Sequence, residues 1–129
     1  MHTPDLFDGR IFKEIDEGVG YAKETGFDTI LERGRAAAEG LPAGVVYGGF
    51  SLGVLPAQMV AQTRRGAKGA LLFHSAVQPS EFGNGWPEDV PLQVHMMEED
   101  EWVVPPNEDL EIARQMTQTI KGAELFLYP

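Results

Sequence analysis

The chain contains no cysteine, which removes disulfides, zinc–thiolate sites and a thiol nucleophile from consideration. Positive charge is sparse: ten Lys+Arg stand against twenty Asp+Glu, a formal charge of −10. Such a surface is not attracted to a nucleic-acid backbone or an anionic membrane, so neither is expected as a partner. No apolar run approaches the roughly 20 residues that span a bilayer. The opening Met1-His2-Thr3-Pro4-Asp5 lacks the basic and apolar regions of a signal peptide. A cytoplasmic location is the expectation. The histidines are His2, His74 and His95, and no metal-ligand spacing connects them. The pair Gly83 and Gly85 leads into Trp86-Pro87 rather than a helix, so it is no phosphate loop. Neither a metal nor a cofactor is expected.

What remains is an ordinary globular composition, 43% hydrophobic over 129 residues, enough for one domain with a real core. Nothing resembles a linker or a repeat, so residues 1–129 read as a single domain. His2 to Arg10 is loop-like, with Pro4, Asp5, Asp8 and Gly9 supplying turn chemistry. Helical spacing follows from about Phe12 to Thr25 (Ile15, Val19, Tyr21, Ala22), with Gly26 as a stop. Asp28 is a candidate cap for a second helix through Ile30, Leu31, Ala37 and Ala38, ending near Gly40.

The pattern then changes. Val45 to Phe50 is a continuous apolar run of the kind buried on both faces of a parallel sheet. Leu52 to Thr63 reads as a helix in which Pro56 is tolerable only near the first turn. Ala70 to His74 is a strand, Ser75 to Asp89 a long loop, Leu92 to Met96 a strand, Asp109 to Ile120 a helix and Glu124 to Tyr128 a last strand. This alternation predicts an α/β fold with a mostly parallel sheet and flanking helices. Ligands in such folds sit beyond the carboxyl ends of the strands. Chemistry is therefore sought at Phe50–Ser51, at His74–Ser75 and between Met97 and Asp100.

Gly49-Phe50-Ser51-Leu52-Gly53 is a G-x-S-x-G between a predicted strand and a predicted helix. A serine on that sharp turn presents its hydroxyl above the sheet, and glycines on either side let the backbone close around it. The N–H of Leu52, at the helix start, is placed to hold the oxyanion that forms when a carbonyl is attacked. Of the three serines, Ser51, Ser75 and Ser80, only Ser51 has this setting.

Gly48 to Gly53 with its following apolar helix resembles the nucleophile region of the dienelactone hydrolase family. Pro4-Asp5-Leu6-Phe7 is similar to a Pro-Asp-Leu-aromatic segment of that family. His95-Met96-Met97-Glu98-Glu99-Asp100-Glu101-Trp102-Val103 resembles its acid loop, in which the aspartate precedes an aromatic–aliphatic pair. The resemblance implies a partial α/β-hydrolase fold and hydrolysis of a small ester or lactone. It makes Ser51 the nucleophile, where the family's type member has cysteine, and Asp100 the acid that orients a histidine. It places that histidine after the last strand, past Pro129, and puts the first strands and a second oxyanion donor before His2. On that footing the chain alone is expected to be nearly inactive, and the strand Val45–Phe50 to have an unpaired edge that invites self-association.

His74 and His95, each placed at the end of a predicted strand, read as structural or pocket-rim residues rather than as substitutes for that base. Phe50, His74, Trp86 and Trp102 are candidate pocket residues, with Phe82 beside Trp86 on the long loop. The competing readings are a non-catalytic α/β domain that binds a small molecule in the same crevice, and a gene fragment with no function.

Overall fold

Helical spacing after the opening loop produces two helices, α1 (Ile15–Thr25) and α2 (Phe27–Glu39), in the computed structural model, which describes residues 1–129. They belong to the first of two compact units, residues 1–41 and 42–129. Gly26, at φ +94°, makes the break between them. Its N–H closes α1 on Ala22 O at 2.9 Å, and its carbonyl accepts from Thr29 and Ile30 to open α2. Only glycine adopts such a φ without strain. Gly26 is thus the N-cap of α2, and Asp28 lies within its first turn. The expectation that Asp28 is the cap is corrected: a reversal in one residue leaves no extended position for it. Phe12 lies before α1, its ring 6.0 Å from Phe7 and 5.4 Å from Tyr21. Arg33 Nη1 ties the opening loop to both helices through Leu6 O at 2.8 Å and Tyr21 Oη at 3.2 Å.

Asp5 organises that loop by accepting from Phe7 N at 2.9 Å and from Gly9 N. The Phe7 N–H, then the Gly9 N–H, hold its carboxyl below the ordinary aspartate value. Because the folded pKa is depressed, the ordering this carboxylate provides is complete above the unfolded value and disappears as pH falls through the folded one. Asp5→Ala is expected to speed amide exchange at Phe7 and Gly9 at neutral pH. The wild type should acquire the same behaviour only under acid conditions, as NMR-detected exchange will show.

The second unit is an α/β layer: β1 (Val46–Phe50), α3 (Val54–Thr63), β2 (Gly69–Phe73), β3 (Leu92–Met97), α4 (Asp109–Thr119) and β4 (Glu124–Tyr128). All strand pairs are parallel, in spatial order β1-β2-β3-β4. One register line runs Phe50, Phe73, His95, Phe126 and the next inward Gly49, Leu72, Val94, Leu125. The face carrying Tyr47, Ala70, Leu72, Leu92, Val94 and Met96 is buried, and α3 lies against β1 and β2 while α4 lies against β4.

The opposite face is open. Val46, Phe50, Met97, Phe126 and Tyr128 are all exposed. The run Val45–Phe50 is therefore not a doubly buried strand: β1 alternates, with Tyr47 and Gly49 buried and Val46, Gly48 and Phe50 exposed. It is also an edge, with β2 its only neighbour, as expected for an unpaired side.

On the open face Phe50, Phe73, His95 and Phe126 stack in series, with centroids 4.4, 4.7 and 4.8 Å apart and planes within 16°. These separations match the ~4.8 Å spacing of strands, so the rings form a ladder that locks the register of all four strands near their carboxyl ends.

Candidate functional site

Ser51 follows β1 directly and opens a short 3-10 turn, Ser51–Gly53, that runs into α3. It is exposed, and its φ is +51°. A serine in the left-handed region stores strain that recurs at functional positions, and it is the turn expected of a nucleophile elbow. The elbow depends on Gly49. A Cβ there would sit 2.3 Å from Gly53 O and 2.7 Å from Val54 N, both backbone atoms. Gly53 is different: a Cβ on it would meet nothing within 4 Å, and its φ is −64°. The equal role assigned to both flanking glycines is corrected, since only the first is sterically required. Leu52 stands in the turn leading into α3, where backbone N–H groups lack intrahelical acceptors.

His74 occupies the same place at the end of β2 that Ser51 occupies at the end of β1. Phe50 pairs with Phe73, so Ser51 and His74 are the next residues on neighbouring strands. His74 also has a positive φ, +58°. Its Nδ1 is sealed from solvent without a hydrogen bond and lies 3.7 Å from Asp100 Oδ2. Asp100 is held from the other side: Trp102 N donates to its Oδ1 at 2.9 Å, while its carbonyl accepts from Val103 N and Val104 N. Glu98, Glu99 and Glu101 are exposed, whereas the Asp100 side chain is 24% exposed. One carboxylate of the acidic turn is thus folded inward toward an imidazole.

The other sequence candidates have different roles. Phe50 belongs to the ladder and is 69% exposed on the open sheet face. Trp102 is exposed in the turn after Asp100. Trp86 Nε1 donates to Val90 O at 2.7 Å, pinning its own loop, and Phe82 ends a short 3-10 turn in that loop, Pro79–Phe82. His95 does not end its strand. It lies inside β3, stacked between Phe73 and Phe126, with Nδ1 2.9 Å from Tyr128 Oη. His2 is exposed in the opening loop.

Several supports were not anticipated from sequence. Ser75 Oγ donates to Asp109 Oδ2 at 2.6 Å, joining the end of β2 to the start of α4. Gln58, fully buried in α3, donates to Val77 O at 2.6 Å and accepts from Val77 N at 3.0 Å. Gln62 donates to Pro79 O at 2.9 Å. One helix therefore carries both the elbow and the clamp on the loop after His74. The signal available for His74 was positional: a polar residue just past a strand, at the offset where Ser51 follows its own.

A separate concavity of ≈ 610 Å³ is lined by Arg10, Phe12, Glu17, Gly20, Tyr21, Glu24 and Thr25, all of the first unit. Arg10 already covers the Phe12 and Tyr21 rings at 5.4 and 5.2 Å, and the lining holds neither a serine nor a histidine. None of the candidate site residues lines this hollow.

The fold and these strand ends define the class: an α/β protein with an all-parallel four-stranded sheet, carrying a serine, a histidine and an aspartate on the loops at its carboxyl edge. Neither family models, nor curated proteins, nor solved structures match the chain. No helix is long and apolar enough to cross a membrane.

Proposed function

We propose that the chain is a hydrolase of the dienelactone hydrolase type that cleaves a small ester or lactone through Ser51. The observation that carries this reading is the backbone of the elbow: a serine at φ +51° between a parallel strand and a helix, closed by a glycine that admits no Cβ. Ser51 Oγ attacks the carbonyl carbon, the Leu52 N–H donates to the resulting oxyanion, and Asp100 orients the imidazole that receives the serine proton. Collapse of the tetrahedral adduct releases the alcohol, and water then frees the acid by the same steps in reverse order. The acidic surface favours neutral or weakly charged substrates over anionic ones.

A fluorophosphonate probe tests the reading directly. Prolonged incubation followed by peptide mass spectrometry is expected to find the adduct on Ser51 and none on Ser75 or Ser80, and Ser51→Ala should abolish it. An unmodified folded chain, or equal modification of all three serines, would contradict it. The same result separates a hydrolase from a binding domain that uses the same crevice, because only an activated serine reacts.

A second copy of the chain is the proposed partner, through the free edge of β1. Val46, 56% exposed, begins that edge, and unpaired backbone groups beside apolar side chains favour strand-to-strand pairing. Light scattering should show a mass that grows with concentration, reduced by Val46→Lys, a charge of the kind that natural edges use to block pairing. A constant monomer mass would exclude edge pairing.

A further inference from the structure

The resemblance puts the base after the last strand, but the geometry points to a base on the chain itself. We propose that His74, with its Nδ1 turned to Asp100, is the residue that takes the proton of Ser51. This rests on Ser51 being the nucleophile and extends it.

Three observations converge. First, the register brings the two residues together. Phe50 and Phe73 are paired on strands spaced about 4.8 Å apart, and their rings stack at 4.4 Å. The next residue on each strand is Ser51 and His74, and both bend off the sheet with the same unusual φ, +51° and +58°. Two consecutive strand ends carrying non-glycine residues in the left-handed region are costly to hold. The ladder and the Ser75–Asp109 hydrogen bond are what hold them.

Second, the imidazole is oriented. A sealed ring nitrogen without a hydrogen bond is unfavourable unless a partner is at hand. Asp100 Oδ2 at 3.7 Å is that partner, and a slight closure turns the contact into a hydrogen bond. Catalytic contacts in unliganded sites are commonly this long.

Third, the ring as a whole is 39% exposed although Nδ1 is covered. The exposure of the side chain comes from atoms other than Nδ1, which leaves Nε2 as the ring nitrogen available to a proton donor. An Asp on Nδ1 and a free Nε2 is the polarity that a general base requires.

The step balances without any further reagent. As Ser51 Oγ bonds to the carbonyl carbon, its proton passes to His74 Nε2 and the carbonyl π pair moves to oxygen. The imidazolium, stabilised by Asp100, returns the proton to the leaving alkoxide as the C–O bond breaks. A water molecule then repeats the cycle on the acyl-enzyme, giving the acid and restoring the serine.

The test uses the whole chain and compares the rate of fluorophosphonate modification at Ser51 in wild type, His74→Asn and Asp100→Asn. Asparagine is chosen at 74 because it tolerates positive φ, and circular dichroism checks that each variant is folded. Both variants are expected to react about 100-fold or more slowly, the scale of a general base, and the dependence of rate on pH should vanish in His74→Asn. The ¹⁵N spectrum of the imidazole gives an independent readout. At mildly alkaline pH the wild type should carry its proton on Nδ1, and Asp100→Asn should move it to Nε2.

If Ser51 is modified at the same rate with and without His74, the base assignment is overturned while the nucleophile stands. If Ser51 is never modified in the folded chain, both fall. If the imidazole tautomer is indifferent to Asp100, the orienting role is overturned.

Discussion

Replacing Gly49 by alanine is expected to eliminate modification of Ser51 and to destabilise the second unit by about 3 kcal/mol, at the upper end of ordinary overpacking. The added Cβ would lie 2.3, 2.5 and 2.7 Å from Gly53 O, Gly53 C and Val54 N. None of these is the far end of a flexible side chain. Relief requires the start of α3 to move away from β1, and the Ser51–Gly53 turn that joins them, with Leu52 and the φ of Ser51, must move with it. Structure and reactivity should therefore fail together. Gly53→Ala is the control: it meets nothing, its φ is that of a helix, and reduced freedom of the unfolded chain is expected to leave stability unchanged or raised by up to about 1 kcal/mol. Denaturant unfolding of the two variants, read beside their fluorophosphonate rates, checks both statements. If Gly49→Ala retains wild-type reactivity, the elbow is not the close approach described above.

The second large effect is expected at Gln58. Gln58→Leu fills nearly the same space but withdraws both hydrogen bonds from Val77. An amide and a carbonyl deprived of partners in a part-buried setting cost about 1–3 kcal/mol each, so a loss near 3 kcal/mol is expected. The damage should be local as well as global. Val77 follows His74 by three residues, and its release frees the segment between the end of β2 and Pro79. Amide exchange at Val77 should rise much more than exchange in β3, and modification of Ser51 should slow in proportion to the disorder of His74. Uniform loss of protection across the sheet would instead mean that Gln58 serves general packing. Gln58→Glu separates the acceptor role from the donor role: the carboxylate still accepts from Val77 N but has no hydrogen for Val77 O.

The expected and observed elements coincide best where the pattern is local. β4 lies at Glu124–Tyr128, as the run Leu125 to Tyr128 behind Glu124 predicts. Helices α3 and α4 keep their C-terminal limits within a residue of the expectation, and Pro56 falls in the first turn of α3. The misses share a cause. Asp28 as a cap, Val45–Phe50 as a doubly buried strand and His95 as a strand end each required knowing what lies beside a residue. For Asp28 the neighbour was Gly26 in an unusual conformation. For β1 it was the open sheet face, on which Val46 and Phe50 are exposed. For His95 it was two aromatic rings contributed by β2 and β4.

By itself the sequence determined the alternation of helices and strands and the position of a serine on a glycine-flanked bend. Periodicity and turn chemistry act over a few residues and survive without the rest of the chain. Only the tertiary structure decided which glycine the bend needs, that Gln58 clamps Val77, and that His74 meets Asp100. The last two contacts join residues 19 and 26 positions apart, and they exist only once strand order and register are set. The aromatic ladder fixes that register, because a slip of one residue would turn Phe73 and His95 to the opposite face and carry His74 away from Ser51.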